Sequence, residues 1–309
     1  MTFSVKDLVI IGGGPAGLTA GIYGMRAGLD LIIVEKLSPG GQVVNSYEIE
    51  NYPGFPEPVP GWKLMSDMEE QTRRLGAEII SGEVQSVKKV DGLFNVSLDG
   101  SIFEARSVLI AAGASNRKLG VSGEKEFLGR GVSYCATCDG AFYRDKVTAV
   151  AGGGDVALEE AFFLTKFASR VYLIHRRDQF RGADILQKRV LNNEKIIPVY
   201  NSVIDSINGE AVVNSINVKN VATGRSEVLD TDGVFIFIGY DPNTSFVDRE
   251  LLNENNEIIV DMNMRTSIEG LFAAGDIRSG SKRQIVMAAA DGATAVMSAY
   301  EYITGAHCS

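Results

Sequence analysis

Cysteine and histidine are nearly absent from this chain of 309 residues, which has three of the first and two of the second. A secreted disulfide framework draws on a larger, evenly paired set of cysteines, so that class of small extracellular scaffold is disfavoured. No segment approaches 18 uninterrupted apolar residues, and the N-terminus Met1-Thr-Phe-Ser-Val-Lys-Asp-Leu lacks the basic start, apolar stretch and cleavage site of a leader. The expectation is a soluble, unsecreted, cytoplasmic protein with no membrane partner. Positive charge is also short: 30 Lys and Arg stand against 39 Asp and Glu, a formal charge of −9. Phosphate backbones are bound by surplus cation, which argues against a nucleic-acid partner. The length predicts two domains.

Glycine, in contrast, is abundant, with 34 in the chain, and its placement is patterned. The apolar run Asp7-Leu-Val-Ile-Ile11 leads into Gly12-Gly13-Gly14-Pro15-Ala16-Gly17, a helical pattern to about Ala27, and a second apolar run, Leu31–Val34. The same order recurs: Val147–Ala151, then Gly152-Gly153-Gly154, a helix over about Ala157–Phe167, then Val171–Ile174. At a constant offset Gly12 meets Gly152, Gly14 meets Gly154, Gly17 meets Ala157 and Glu35 meets His175. A lone glycine-rich turn is weak evidence, but two in register, each flanked by strands, predict two dinucleotide sites. The first glycine permits the tight turn, the second lets backbone approach a pyrophosphate, and the third position lets helix pack on strand. The helix N-terminus then faces the phosphates.

The residue ending the second strand reads the adenosine ribose. An acid there accepts hydrogen bonds from free hydroxyls and repels a 2′-phosphate, so Glu35 excludes NADP from the first site. In the second copy that position opens His175-Arg176-Arg177, with Arg181 close behind, charged forks suited to a 2′-phosphate and hence to NADPH. For the first site, the distant stretch Gly270-Leu-Phe-Ala-Ala-Gly-Asp276 favours FAD, because a carboxylate at the end of an apolar strand can meet the polyol linking flavin to phosphate; a helix cap is the plainer reading of Asp276. Residues 265–290 thus belong with the first unit, beyond the complete second one, which predicts that the second is inserted into the first. The crossings are Gly113–Lys118 and Gly239–Thr244, both rich in turn formers. Residues near 79–110, with Asp-Gly turns at Asp91-Gly92 and Asp99-Gly100, read as an antiparallel accessory sheet.

Cys135-Ala136-Thr137-Cys138 precedes the second glycine unit. Half of a zinc site, a structural pair, a reactive pair without flavin and a redox pair linked to a flavin all compete; no second Cys pair exists, and His307 is the only histidine outside the nucleotide site. Reduction also needs a proton, and Asp139 is the best-placed acid, its pKa expected to rise on burial; an ordinary Asp-Gly turn is the alternative.

Together, Gly12–Gly17, Cys135-Ala-Thr-Cys-Asp139, Gly152-Gly-Gly-Asp155, His175-Arg-Arg-Asp-Gln-Phe-Arg181 and Gly275-Asp276 resemble the low-molecular-weight thioredoxin reductases, class II pyridine nucleotide-disulfide oxidoreductases, over nearly the whole chain. Further matches are Gly40-Gly41-Gln42, Glu50-Asn51-Tyr52-Pro53-Gly54 and Arg283-Gln284. The resemblance implies an α/β chain of two Rossmann-like, three-layer ββα dinucleotide-binding domains: residues 1–115 and 244–309 for FAD, and an inserted 116–243 for NADPH bearing the cysteines. It implies FAD contacts from Gly12, Gly14, Pro15, Ala16, Gly17, Glu35, Gly40, Gly41, Gln42, Asn51, Val84, Gly113, Asp276, Arg283, Gln284 and Ile285. NADPH contacts fall to Gly152, Gly154, Asp155, Val156, His175, Arg176, Arg177 and Arg181, and no metal is involved.

It further implies a homodimer in which Cys138 faces the flavin, Cys135 attacks thioredoxin or a thioredoxin-like protein, and Asp139 gives the proton, with rotation at the two crossings alternating nicotinamide and disulfide at the flavin. Reduction of a glutaredoxin-like or peroxidase-linked protein, an enzyme run by another electron donor, a flavin dithiol oxidase and a non-catalytic FAD sensor are the competing functions. The chain departs from the family at Ala141, where an aromatic is common, and Cys308 has no cysteine neighbour.

Overall fold

The computed structural model describes residues 4–46, 49–98 and 100–305. His307 and Cys308 lie outside them, as does Asp99 of the second expected Asp-Gly turn. The chain divides into two compact units, one of Met1–Ser46, Tyr52–Ser115 and Asp241–Ser309, the other of Tyr47–Asn51 and Asn116–Tyr240.

The first unit begins with strand β1 (Lys6–Ile11), in which Leu8, Val9 and Ile10 are wholly buried. An unbroken apolar run of this kind suits a strand covered on both faces of a parallel sheet. Helix α1 (Pro15–Arg26) follows, with Pro15 at its first turn, where a missing N–H costs nothing. Strand β2 (Leu31–Glu35), helix α2 (Gly61–Arg74) and strand β3 (Glu78–Ser81) extend the sheet in parallel. Strands β4 (Val84–Val90), β5 (Leu93–Leu98) and β6 (Ser101–Ile110) then run antiparallel. β6 also lies parallel to β1, so the order is β3-β2-β1-β6-β5-β4. The antiparallel strands expected near 79–110 therefore join the main sheet through the length of β6, and 78–81 pairs in parallel. The short strand β7 (Ala114–Asn116) follows.

In the second unit, β8 (Val132–Ser133) and helix α3 (Ala136–Asp139) precede β9 (Val147–Gly152), α4 (Asp155–Leu164), β10 (Arg170–Ile174), α5 (Asp184–Leu191) and β11 (Ile196–Val199). Next come β12 (Ser202–Gly209), β13 (Val213–Asn220), β14 (Ser226–Asp230) and β15 (Gly233–Phe237). A five-stranded parallel sheet, β11-β10-β9-β15-β8, lies between helices on one face and the antiparallel sheet β12-β13-β14 on the other. The two-residue period of a strand decides which side chain goes where. Val150 and Phe235 pack toward α4, while Ala149, Ala151, Val234 and Ile236 pack with Ile204, Ile216 and Val218 of the small sheet.

The chain returns to the first unit through β16 (Tyr240–Pro242), which pairs with β7, then β17 (Leu271–Ala273), parallel to β6, and helix α6 (Ile285–Thr304). α6 packs on α1 so closely that a Cβ at Gly292 would overlap the Ala16 carbonyl. No helix among the described residues is long and apolar enough to cross a membrane.

Candidate functional site

At the first glycine turn, Gly12 has φ +108°, which an L side chain rarely adopts, and a Cβ there would overlap the Ala111 carbonyl. A Cβ at Gly17 would overlap the Gly12 carbonyl, so the third position brings helix onto turn. Gly14, just ahead of α1, has nothing within 4 Å of its would-be Cβ, leaving open space at the helix N-terminus. Glu35 closes the other side: its Oε2 accepts the Gly13 N–H at 2.6 Å and its Oε1 the Leu37 N–H at 2.8 Å. Each carboxylate oxygen keeps a second lone pair for a ribose hydroxyl.

Residues far apart in sequence meet here. The Gly40 N–H donates to the Gly13 carbonyl at 2.7 Å, and the would-be Cβ of Gly41 lies 3.6 Å from Gly14 Cα. Gln42 is exposed in the short 3₁₀ turn that Gly41 opens. From the far end of the chain, the turn Gly275–Ile277 abuts Ala16 and presents Asp276, so Asp276 does not cap α6, whose N-cap is Gln284. Burial pushes the Asp276 carboxyl up, against the Ser281 hydroxyl, which donates to it at 3.0 Å, and against Arg283. The Arg283 N–H in turn bonds Ser281 Oγ, and Ile285 begins α6. Beneath this turn, buried Asp291 holds Arg278 through Nε and Nη2 at 2.7 and 2.9 Å and accepts the Gly275 N–H.

Of three further candidates, Val84 has a core side chain, Gly113 accepts the Asn243 N–H through its carbonyl, and Asn51 falls in the short segment grouped with the second unit. An open glycine turn with an acid at each end fits the phosphates, ribose and polyol of FAD.

The second turn repeats the design with different side chains. Gly154 again opens onto space ahead of α4, where Val156 is exposed and Asp155 Oδ1 takes the Ala183 N–H at 2.7 Å. The Arg181 N–H donates to the Gly153 carbonyl at 2.7 Å, which fastens its loop to the turn. Arg176, Arg177 and Arg181 are exposed, but His175 is only 4% exposed. It packs under Gly153 and keeps a buried Nε2 with no partner. Burial first, then Arg181, Arg177 and Arg176, push its pKa down. The charged fork expected of His175-Arg176-Arg177 is thus corrected: the imidazole is a neutral floor, and the cationic surface is Arg176, Arg177 and Arg181. That surface fits a 2′-phosphate, and hence NADPH.

Cys135 and Cys138 form a disulfide, with Cα atoms 5.3 Å apart. Cys135 is the N-cap of α3, its Sγ accepting the Cys138 N–H at 3.2 Å and lying 3.3 Å from Thr137 Oγ1. Asp139 ends that helix, and the chain continues directly into the 3₁₀ turn Gly140–Tyr143, so no simple Asp-Gly turn occurs. Burial raises the Asp139 pKa, opposed by the Ser133 hydroxyl. Ser133, itself 4% exposed, accepts the Cys135 N–H at 3.0 Å, joining the acid to the disulfide backbone. Burial, Asp139 and Asp232 also raise the phenol of Tyr143. Ser133, Tyr143, Ser281 and the Arg278–Asp291 pair escape sequence reasoning, since a lone hydroxyl, phenol or distant ion pair carries no spacing signal.

The model of the family described as pyridine nucleotide-disulphide oxidoreductase matches residues 6–292. A thioredoxin reductase of Helicobacter pylori is 47% identical over 306 residues, covering 96% of this chain and 98% of its own length. One of Bacillus subtilis is 45% identical, covering 97% and 95%. The crystal structure of thioredoxin reductase from Streptococcus pyogenes MGAS5005 superposes with a TM-score of 0.94 at 43% identity, covering 98% of this chain and 99% of that one. The chain belongs to the pyridine nucleotide-disulphide oxidoreductases and, among them, to the thioredoxin reductase family. Its cofactors are FAD and NADPH.

Proposed function

We propose that this chain is an NADPH-dependent thioredoxin-disulfide reductase, acting as a cytoplasmic homodimer, with FAD on the Gly12 turn and NADPH on the Gly152 turn. The observation that carries the reading is the Cys135–Cys138 disulfide with a buried carboxyl, its pKa raised, at the end of the same helix. When bound, NADPH supplies hydride and FAD relays the electron pair, so that NADPH, one proton and the disulfide give NADP and two thiols. Glu35 and Asp276 orient the first cofactor, and Arg176, Arg177 and Arg181 select the 2′-phosphate of the second. Cys138 takes the flavin side and Cys135 attacks the disulfide of thioredoxin. Asp139 holds the proton delivered as the sulfur pair is reduced or reoxidised, a task suited to a carboxyl whose pKa burial has raised.

Anaerobic NADPH titration of the purified yellow protein tests this, followed by a panel of thioredoxin, glutaredoxin-like and peroxidase-linked acceptors. Flavin bleaching, the appearance of two thiols and turnover with thioredoxin are expected. Replacing Arg177 and Arg181 by Ala is expected to weaken NADPH on the order of tenfold or more while sparing NADH. Equal losses for the two nucleotides would remove the NADPH assignment.

A further inference from the structure

Helix α3 is four residues long, and the residue that caps it is Cys135, in extended backbone with φ −146° and ψ 103°. An N-cap side chain ordinarily offers an oxygen to the N–H two or three residues on. Here the acceptor is sulfur, and the Cys138 N–H meets Cys135 Sγ at 3.2 Å. Ser133 holds the Cys135 peptide from behind: its Oγ accepts the Cys135 N–H at 3.0 Å and donates to the Cys135 carbonyl at 3.3 Å. With backbone and cap fixed in this way, the exposed side chain of Thr137 falls beside the same sulfur, its Oγ1 3.3 Å from Cys135 Sγ. A disulfide sulfur carries no hydrogen, so the hydroxyl is the donor. Two donors therefore converge on Cys135 Sγ, and the reduction described above gives Thr137 no part.

We propose that Thr137 is a catalytic residue: with the Cys138 N–H, its hydroxyl receives the negative charge that comes to Cys135 Sγ when the S–S bond opens, and so makes Cys135 the departing sulfur. The proposal rests on reading Cys135 and Cys138 as the redox pair, and it gives the division of labour between the two sulfurs a cause in their surroundings. The electron pair relayed from NADPH enters at Cys138 Sγ, the S–S bond breaks, and its bonding pair leaves on Cys135 Sγ as a thiolate. One proton then turns one of the two anions into a thiol. Cleavage is faster when the leaving sulfur bears the charge well. A hydrogen bond to an ionised acceptor is also stronger than one to a neutral acceptor. The Thr137 bond therefore tightens as charge arrives, which is what an interaction must do to lower the barrier. Cys135 keeps the same donor while it waits, as thiolate, for the disulfide of its partner.

The test reduces the FAD-loaded protein with dithiothreitol, independently of NADPH and thioredoxin, desalts it anaerobically and follows iodoacetamide alkylation of Cys135 by peptide mass spectrometry between about pH 5 and 10. Thr137→Val keeps the branched shape and loses the donor. It is expected to alkylate about fivefold more slowly near neutral pH and to approach the parent's rate at the alkaline end, because the anion then forms only at higher pH. Thr137→Ser restores the donor and is expected to bring the profile back. Asp139 of α3, Tyr143 of the following 3₁₀ turn, and Asp155, Glu159 and Glu160 of α4, which packs on α3, are the same in all these proteins, so a difference between profiles belongs to the hydroxyl. In turnover, Thr137→Val is expected to lower kcat and leave KM for thioredoxin unchanged. A Thr137→Val profile superimposed on the parent's overturns the proposal, and so does a Thr137→Ser profile that follows the Val variant. Thr137→Ala also lacks the donor and carries the same test if the Val variant fails to fold. A parent whose sulfurs never cycle between disulfide and dithiol would remove the redox reading itself, and this proposal with it.

Discussion

Asp139, Glu160 and Asp276 are carboxyls whose pKa burial has raised. For a group raised in the folded state, its stabilising contribution is complete below the ordinary carboxylate range. It is lost as pH climbs through the folded value, because the anion must then be buried. Asp139→Asn is accordingly expected to raise the melting temperature at neutral and mildly alkaline pH and to leave it unchanged near the acid limit, which thermal scans at the two extremes would check. The same variant is expected to leave NADPH-driven flavin reduction intact and to slow turnover with thioredoxin on the order of 10²-fold, measured by stopped flow against steady state. Undiminished turnover would move the proton to another group. The sequence identified Asp139 because it adjoins the cysteines. It could not identify Ser133, because its role depends on which way β8 faces, and that is decided by packing.

At the scale of one turn and one helix, two glycines three residues apart are expected to behave differently. Gly17→Ala puts a methyl into the Gly12 carbonyl, so the helix must lift from the turn; overpacking of this kind typically costs about 1–3 kcal/mol. Gly14→Ala meets no protein atom and has an ordinary φ of −77°, so stability without cofactor is expected to stay within about 0.5 kcal/mol. Its methyl instead enters the space assigned to phosphate. Chemical denaturation together with the flavin-to-protein absorbance ratio separates the two: Gly17→Ala lowers both, Gly14→Ala only the ratio. The strand–glycine–helix–strand repeat was legible because apolar periodicity and glycine spacing are local. Boundaries moved slightly, with α4 running over Asp155–Leu164 where about Ala157–Phe167 was expected. The place of 84–110 was not legible, because β6 pairs locally with β5 and over its far end with β1, and only the second pairing joins those strands to the main sheet.

Across the whole molecule, each unit has apolar clusters of its own, as independent folding demands. A fragment of residues 116–240 is expected to unfold cooperatively and to bind NADPH without FAD, as calorimetry and nucleotide titration would reveal. A non-cooperative transition would make the second unit dependent on the rest of the chain, the 49–51 segment included. The two glycine turns also differ in how freely evolution can revise them. Glu35 serves two masters, since the same carboxylate that meets a ribose ties the Gly13 and Leu37 backbone. Exchanging it for a cation would strand two N–H groups, so cofactor choice at that turn is tied to its architecture. At the second turn it is buried His175 that packs under the Gly153 backbone, while the discriminating arginines stand in solvent. Their replacement disturbs no packing, so a lineage carrying this fold can exchange its nicotinamide donor by a few surface substitutions while its first cofactor stays fixed.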